Sequence, residues 1–301
     1  MRRILHELKA NKYVYAMLLP VIAYYVVFYY TPMYGLQIAF KEYSPGLGFW
    51  NSPWVGFAHF ESFFGSYYFW RLISNTLLLS LYGIVFGFPA PIVLALLFNE
   101  LRIAALKRIV QTMTYMPHFI SIVVVASMLY DFLARDGLIN QLLNGLGLKE
   151  PIAFLQESAW FRSVYVSSEV WQNVGWGSII YLAAIAGIDP AQYEAARIDG
   201  AGRWKMMLHV TVPGIMPTII ILLILQLGHV MSIGTEKVLL LYNSNTYDTS
   251  DVIGTFVYRK GILQSSFSYS AAVGLFNSVI NFGMLVLANL ISRRVSETKL
   301  W

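Results

Sequence analysis

Six stretches of the chain, 13–40, 72–99, 109–130, 170–188, 206–235 and 261–292, contain no Asp, Glu, Lys or Arg. A helix crosses a bilayer with about 20 predominantly apolar residues, because a rise of about 1.5 Å per residue then covers roughly 30 Å of hydrocarbon. Each charge-free stretch reaches or nearly reaches that length. The pattern therefore predicts an all-α, polytopic membrane protein with six spanning helices, at about 13–36, 72–98, 110–131, 166–187, 214–233 and 269–291. A seventh charge-free run, 43–60, reads differently. Pro45, Gly46, Gly48, Pro53 and Gly56 interrupt it, which favours turns, and unpaired backbone amides cannot face lipid. It is expected as an external loop with Trp50 and Trp54 at the interface. External loops are expected at about 41–70, 134–163 and 234–268. Residues 1–301 read as a single transmembrane domain, with no soluble part large enough to fold alone and no repeat at a 20–50-residue period.

Polar and bending positions inside the spans refine this picture. Pro89 and Pro91 in the second span, Pro117 in the third and Pro217 in the fifth each remove a helical hydrogen bond and predict kinks. Thr76, Ser80, Gly83 and Gly87 share one face of the second span, as Ser270, Gly274, Asn277, Ser278 and Asn281 do on the sixth. Small residues of this kind let helices approach closely. Two asparagines at lipid depth also need partners or a wet cavity.

Composition and charge agree with a membrane protein. The 301 residues are 57% hydrophobic and only 12% charged. Most of the 21 Lys and Arg fall on one side if the N-terminus is cytoplasmic, among them Arg2, Arg3, Lys9, Lys12, Arg102, Lys107, Arg108, Arg197, Arg203, Lys205, Arg293, Arg294 and Lys299. Basic residues in short loops prefer the cytoplasm, so both termini point inward. The net charge of +5 needs no nucleic-acid partner to explain it. The basic start followed by an apolar run resembles a secretory signal. It lacks a small-residue cleavage site and precedes five more spans, so it reads as an uncleaved first helix. Absent cysteines exclude disulfides and thiolate metal sites.

One segment breaks the apolar pattern. "DPAQYEAARIDGAGRWKMMLHVTVP", Asp189 to Pro213, is compact, charged and interrupted by glycine. Asp189 suits an N-cap, Pro190 the first helical position, and Gln192 a capping-box spacing. A short helix is expected from Pro190 to about Asp199, ended by Gly200 in the left-handed C′ conformation. A second short helix should begin near Ala201, with Trp204, Met207 and Leu208 on one apolar face, and Pro213 should open the fifth span. This elbow could lie on the membrane surface.

Its residues also carry a resemblance. "EAARIDGAGRWKMMLHVTVP" resembles the EAA loop of importer permeases of the ATP-binding-cassette class, matching at Glu194, Ala195, Ala196, Asp199, Gly200, Ala201 and Pro213. Val210 and Val212 stand where that family usually has Ile and Leu, and Met207 where Phe is common. "NTLLLS", "LLFNE", "GLIN" and "IIYLAAI" extend the likeness to the sugar branch of the family. Within it the chain is most similar to permeases paired with lipoprotein receptors for complex oligosaccharides, including uronate-containing fragments. The resemblance implies a type I importer permease fold in the bacterial cytoplasmic membrane. It also implies that the elbow, with Arg197 and Arg203 beside the matched residues, is a coupling helix docking on a cytoplasmic ATPase dimer. A second permease, more often a related chain than an identical one, and an extracytoplasmic solute-binding protein are implied as partners.

No G-x-x-x-x-G-K-[ST] phosphate loop occurs in the chain, so it reads as no enzyme. It holds no cofactor of its own, and ATP with Mg belongs to the partner ATPase. Polar and aromatic residues at membrane depth are the candidates for a substrate pathway: Glu169, Trp171, Gln172, Asn173 and Trp176 on the fourth span, Gln226 on the fifth, Asn277 and Asn281 on the sixth. Sugar rings stack on aromatics, and hydroxyls pair with amides and carboxylates. His118 and His229 read as packing or hydrogen-bonding residues, and no spacing supports a metal site. An ion-coupled secondary transporter is the competing reading. It would require mid-membrane charge pairs and inverted repeats. A membrane enzyme would require a convergent constellation of acid, base or nucleophile.

Overall fold

The computed structural model of the chain describes residues 11–147 and 150–295, with side chains through 292. The basic start with Arg2, Arg3 and Lys9, and the tail at Lys299, lie outside the described residues. Among the described residues the structure is helical, and strand-like pairing is limited to an isolated antiparallel bridge between Lys41 and Trp54. In chain order the main helices are α1 (Lys12–Phe40), α2 (Phe69–Glu100), α3 (Ala104–Phe119), α4 (Ile122–Phe132), α5 (Leu138–Gly145), α6 (Ser158–Ala186), α7 (Pro190–Ile198), α8 (Arg203–Leu227), α9 (Thr235–Leu241) and α10 (Phe267–Val295). By length and apolar character α1, α2, α8 and α10 can each cross a membrane unbroken. The pairs α3–α4 and α6–α7 reach that measure only as bent units, turned through 101° and 72°. Among the described residues four helices are thus long and apolar enough to cross, or six where each bent pair is one span.

Two compact units make up the chain, one running to Gly65 and including Val257–Phe276, the other Ser66–Phe256 with Asn277 onward. In the first, α1 is uncovered by its own chain from Lys12 to Tyr30. A helix that is apolar all round and bare belongs in hydrocarbon. After it, Lys41 turns inward and donates from Nζ to the Phe49 carbonyl at 3.0 Å. Trp54 stacks on Phe40 at 5.8 Å, and Phe63 is buried against Phe276 at 5.6 Å. The expected loop 41–70 thus carries short helices of its own, Gly48–Asn51 and Ala58–Phe64.

In the second unit, Leu79, Phe161, Tyr165, Val238, Leu241 and Val252 bury one another. Ala95, Tyr181, Ile185 and Ile215 form a second cluster. These residues join α2, α6, α8 and α9. At Gly175 a side-chain carbon would collide with the Thr114 carbonyl, so α6 and α3 touch backbone to backbone, as small residues permit.

Prolines are absorbed in a repeated way. Pro32, Pro89 and Pro213 each follow a wide π-helical turn by two positions: Val26–Tyr30, Gly83–Gly87 and Met207–Thr211. A proline ring clashes with the carbonyl four residues earlier, and a π turn opens the coil at that place. These helices therefore run through their prolines, and the irregularity expected at Pro89 takes the form of a π turn just before it. Pro117 is different. It sits in a tight 3-10 turn, Met116–Phe119, and the helix breaks outright instead of kinking. Ser121 then caps α4, accepting from Val124 N at 3.3 Å.

Three expected boundaries shift. The fourth span, expected from about 166, begins at Ser158, and the helix runs through the charge of Arg162. That guanidinium donates to Asn75 Oδ1 at 2.9 Å. The second short helix of the elbow is not separate, since α8 starts at Arg203 and continues through Pro213. The same helix ends at Leu227, short of the expected 233. Beyond Gly228 side chains take two of the backbone groups: Ser80 donates to the Val230 carbonyl, and Asn281 Oδ1 accepts from Met231 N at 2.8 Å.

Candidate functional site

The elbow is built by local rules. Asp189 is extended, and its Oδ1 accepts from Ala191 N at 2.9 Å, which satisfies one of the orphan donors at a helix start. Pro190 lacks the donor that would be orphaned there anyway. At the other end, Gly200 N donates to the Arg197 carbonyl at 3.0 Å and Ala201 N to the Ala196 carbonyl at 2.9 Å. This is the Schellman pattern, and Asp199-Gly200-Ala201 is its sequence. Gly200 has φ +74°, and nothing lies within 4 Å of where its Cβ would be. Backbone handedness, not crowding, asks for glycine here.

The elbow is tied to α8 and otherwise bare. The Tyr193 hydroxyl meets Thr211 Oγ1 at 2.9 Å, and Thr211 is buried in the π turn of α8. Gly214 leaves room for Ile188, whose side chain would sit 2.7 Å from a Cβ there. Glu194, Ala195, Arg197, Asp199, Arg203 and Pro213 are exposed, while Ala196 and Ala201 are half-buried. Ile198 and Trp204 are 87% and 72% exposed. Two large apolar side chains therefore stand uncovered by this chain on a charged surface.

A cavity of about 550 Å³ opens among α2, α6 and α8, lined by Glu169, Asn173, Gln226 and His229 together with Tyr165 and Tyr181. Its polar wall is continuous. Asn173 Nδ2 donates to Glu169 Oε1 at 2.7 Å. His118 Nδ1 meets Asn173 Oδ1 at 2.9 Å, and the His118 ring stacks on Trp176 at 4.7 Å. On the other side Lys237 Nζ, from α9, donates to Glu169 Oε2 at 2.9 Å and lies 5.4 Å from the Tyr165 ring centre. The Lys237 side chain is 3% exposed and that of Glu169 43%. Burial pulls the Lys237 ammonium below its ordinary pKa, and the Glu169 carboxylate pulls it back up.

Of the pathway candidates, Glu169, Asn173 and Gln226 converge on this cavity, and Trp176 joins it through His118. Trp171 does not. It lies in separate recesses on another flank of α6. Gln172 is buried and donates to the Ile120 carbonyl at 3.1 Å, holding the α3–α4 break against α6. Asn281 is occupied with Met231 N and Ser232 Oγ. Asn277 Oδ1 is buried without a hydrogen-bond partner. Among the described residues no group of three or more His, Asp or Glu forms a metal site.

Residues 87–297 match the family described as binding-protein-dependent transport system inner membrane component. The chain belongs to this family. Among its relatives in Bacillus subtilis, Protein LplB is 46% identical, covering 98% of this chain and 92% of LplB. The polygalacturonan/rhamnogalacturonan transport system permease protein YteP is 44% identical over the same shares. A crystal structure of a bacterial ABC transporter involved in the import of the acidic polysaccharide alginate contains a chain that superposes with a TM-score of 0.91. It is 44% identical, with 98% of this chain and 100% of that one covered. A crystal structure of a bacterial alginate ABC transporter in complex with alginate pentasaccharide-bound periplasmic protein gives the same score.

As an inner membrane component, the chain is a permease subunit of an ATP-binding-cassette importer in a bacterial cytoplasmic membrane. ATP hydrolysis belongs to a separate chain. Such a permease works beside a second permease, a cytoplasmic ATPase and a solute-binding protein. Sequence reasoning about this permease missed Lys237 and Tyr165. The available signal was two isolated opposite charges, Glu169 and Lys237, both placed near the outer membrane boundary by the expected topology.

Proposed function

We propose that this permease carries a uronate-containing oligosaccharide, handed over by an extracytoplasmic receptor, past the Glu169–Asn173–Gln226 cavity. The elbow, with Glu194, Ala195, Ala196, Arg197, Asp199, Gly200, Ala201, Arg203 and Pro213, docks on the partner ATPase. The observation that carries the coupling role is the rigid elbow: a short helix capped at both ends, with Ile198 and Trp204 bare, tied to α8 through Tyr193 and Thr211. A docked lever needs a stiff body, an apolar contact and a link to a spanning helix, and all three are present. Support for an acidic saccharide comes from the substrates named for YteP and for the alginate importer.

Proteoliposomes holding this permease, its partner permease and the ATPase, with loaded receptor outside, should take up galacturonate oligosaccharides only when ATP is supplied. Uptake on a sodium or proton gradient with the ATPase left out would instead establish ion-coupled transport and end this reading. Glu194→Lys should insert normally yet lose ATPase co-purification.

A further inference from the structure

A second recess, about 790 Å³ in volume, lies between α2 and the outer half of α6, lined by Tyr82, Phe86, Arg162, Ser163, Ser167 and Trp171. Arg162 is its one charged residue. The Arg162 guanidinium donates to Asn75 Oδ1 at 2.9 Å, while its Nε is buried and has no hydrogen-bond partner. Among the described residues no carboxylate pairs with it. The nearby acids are otherwise engaged: Asp248 and Asp251 pair with Arg71 at 3.7 and 3.3 Å.

An arginine fixed in place yet lacking an anion, beside exposed rings, has a definite chemistry. The planar guanidinium offers donors in the spacing of a carboxylate's two oxygens. Phe86 and Trp171 are both exposed, and Tyr82 lies 6.3 Å from Phe86, so rings stand ready to stack on a pyranose face. Ser163 and Ser167 add hydroxyls one helical turn apart. The recess shares Val166 and Val170 with the Glu169 cavity, and Arg162 precedes Glu169 by seven residues, two turns along the same side of α6. The deeper acid is already neutralised by Lys237; among the described residues none neutralises the outer cation.

We infer that Arg162 is a specificity residue that receives the carboxylate of a uronosyl unit at the outer end of the pathway, with Trp171 and Phe86 stacking its ring. The inference rests on the functional reading above and adds the residue that distinguishes an acidic sugar from a neutral one. The test uses the reconstituted assembly with its receptor and two labelled probes, a galacturonate tetrasaccharide and its carboxyl-reduced neutral counterpart.

Arg162→Gln should lower the ratio of charged to neutral uptake by about tenfold, as loss of a charge-assisted hydrogen bond implies, and Arg162→Lys should restore part of it. The ratio cancels any general loss from disturbing Asn75. Equal losses for both probes, or a loss that tracks anionic lipid content, would assign Arg162 to packing or to headgroup contact and overturn the inference. Wild-type assemblies that import neither probe overturn the functional reading and this inference together. Wild-type import with an unchanged ratio in Arg162→Gln overturns this inference alone.

Discussion

Two residues show how position decides what a substitution does. Lys237 is enclosed, whereas its partner Glu169 is nearly half exposed, so the two halves of the pair are not equivalent. Glu169→Gln leaves a buried ammonium without its counter-charge and should cost about 1–3 kcal/mol of stability. Lys237→Met leaves a carboxylate that water can reach and should cost less. The double variant should be more stable than Glu169→Gln alone, a reversal that thermal unfolding in detergent would register. At Gly200 the left-handed backbone makes alanine unfavourable by about 1 kcal/mol. Because nothing packs on that position, Gly200→Ala should leave the melting temperature of the spans in place and weaken ATPase pull-down. The Gly200 geometry was legible from the spacing of Asp189, Pro190 and Gly200 along the chain. The Lys237–Glu169 pair was not, because the partners are separated by 68 positions and periodicity reports only neighbours on one helix.

At the scale of elements, the charge-free stretches agree with the four unbroken apolar helices and with the two bent pairs, but misjudged their ends. The fourth span, expected from about 166, starts at Ser158, and the fifth, expected from 214, starts at Arg203, because a helix continues through a charge when its side chain finds a partner or water. Pro117 and Pro89 look alike in sequence, yet one lies in a tight turn that breaks its helix and the other follows a wide turn that spares it. Nothing in the local residues distinguishes those outcomes without the neighbouring helices. Between elements, the contact from Tyr193 to Thr211 is the polar strut joining elbow and span. Tyr193→Phe keeps the ring and removes the strut. Fewer sugars should then be imported per ATP hydrolysed, with the ATPase still bound, and paired uptake and phosphate-release assays would show the ratio fall. An unchanged ratio would remove the strut from the transmission.

For the whole molecule, the family and its membrane topology were legible because the elbow motif and the blank spans are both local patterns. The polar cavity was partly legible: Glu169, Asn173 and Gln226 converge there, whereas Trp171, Gln172 and Asn281 were drawn elsewhere by recesses, carbonyls and an unwound helix end. Bareness at this scale has meaning too. From Lys12 to Tyr30 no residue of α1 is covered by its own chain, so that surface must be met by acyl chains or another subunit. Extraction in detergents with short tails should therefore lower the yield of intact permease more than extraction in long-tailed ones, measured by size-exclusion recovery.

The wide turn at Met207–Thr211 holds one residue more than the surrounding coil requires. Such a dislocation can migrate by exchanging one hydrogen bond for the next, and each residue it passes turns by about 100° while the lengths on either side keep their registers. The side chains next to Met207–Thr211 can in this way change face while the outer portion of α8 stays still. Spin labels next to the turn would detect that switch as a change in azimuth between nucleotide-free and nucleotide-bound assemblies.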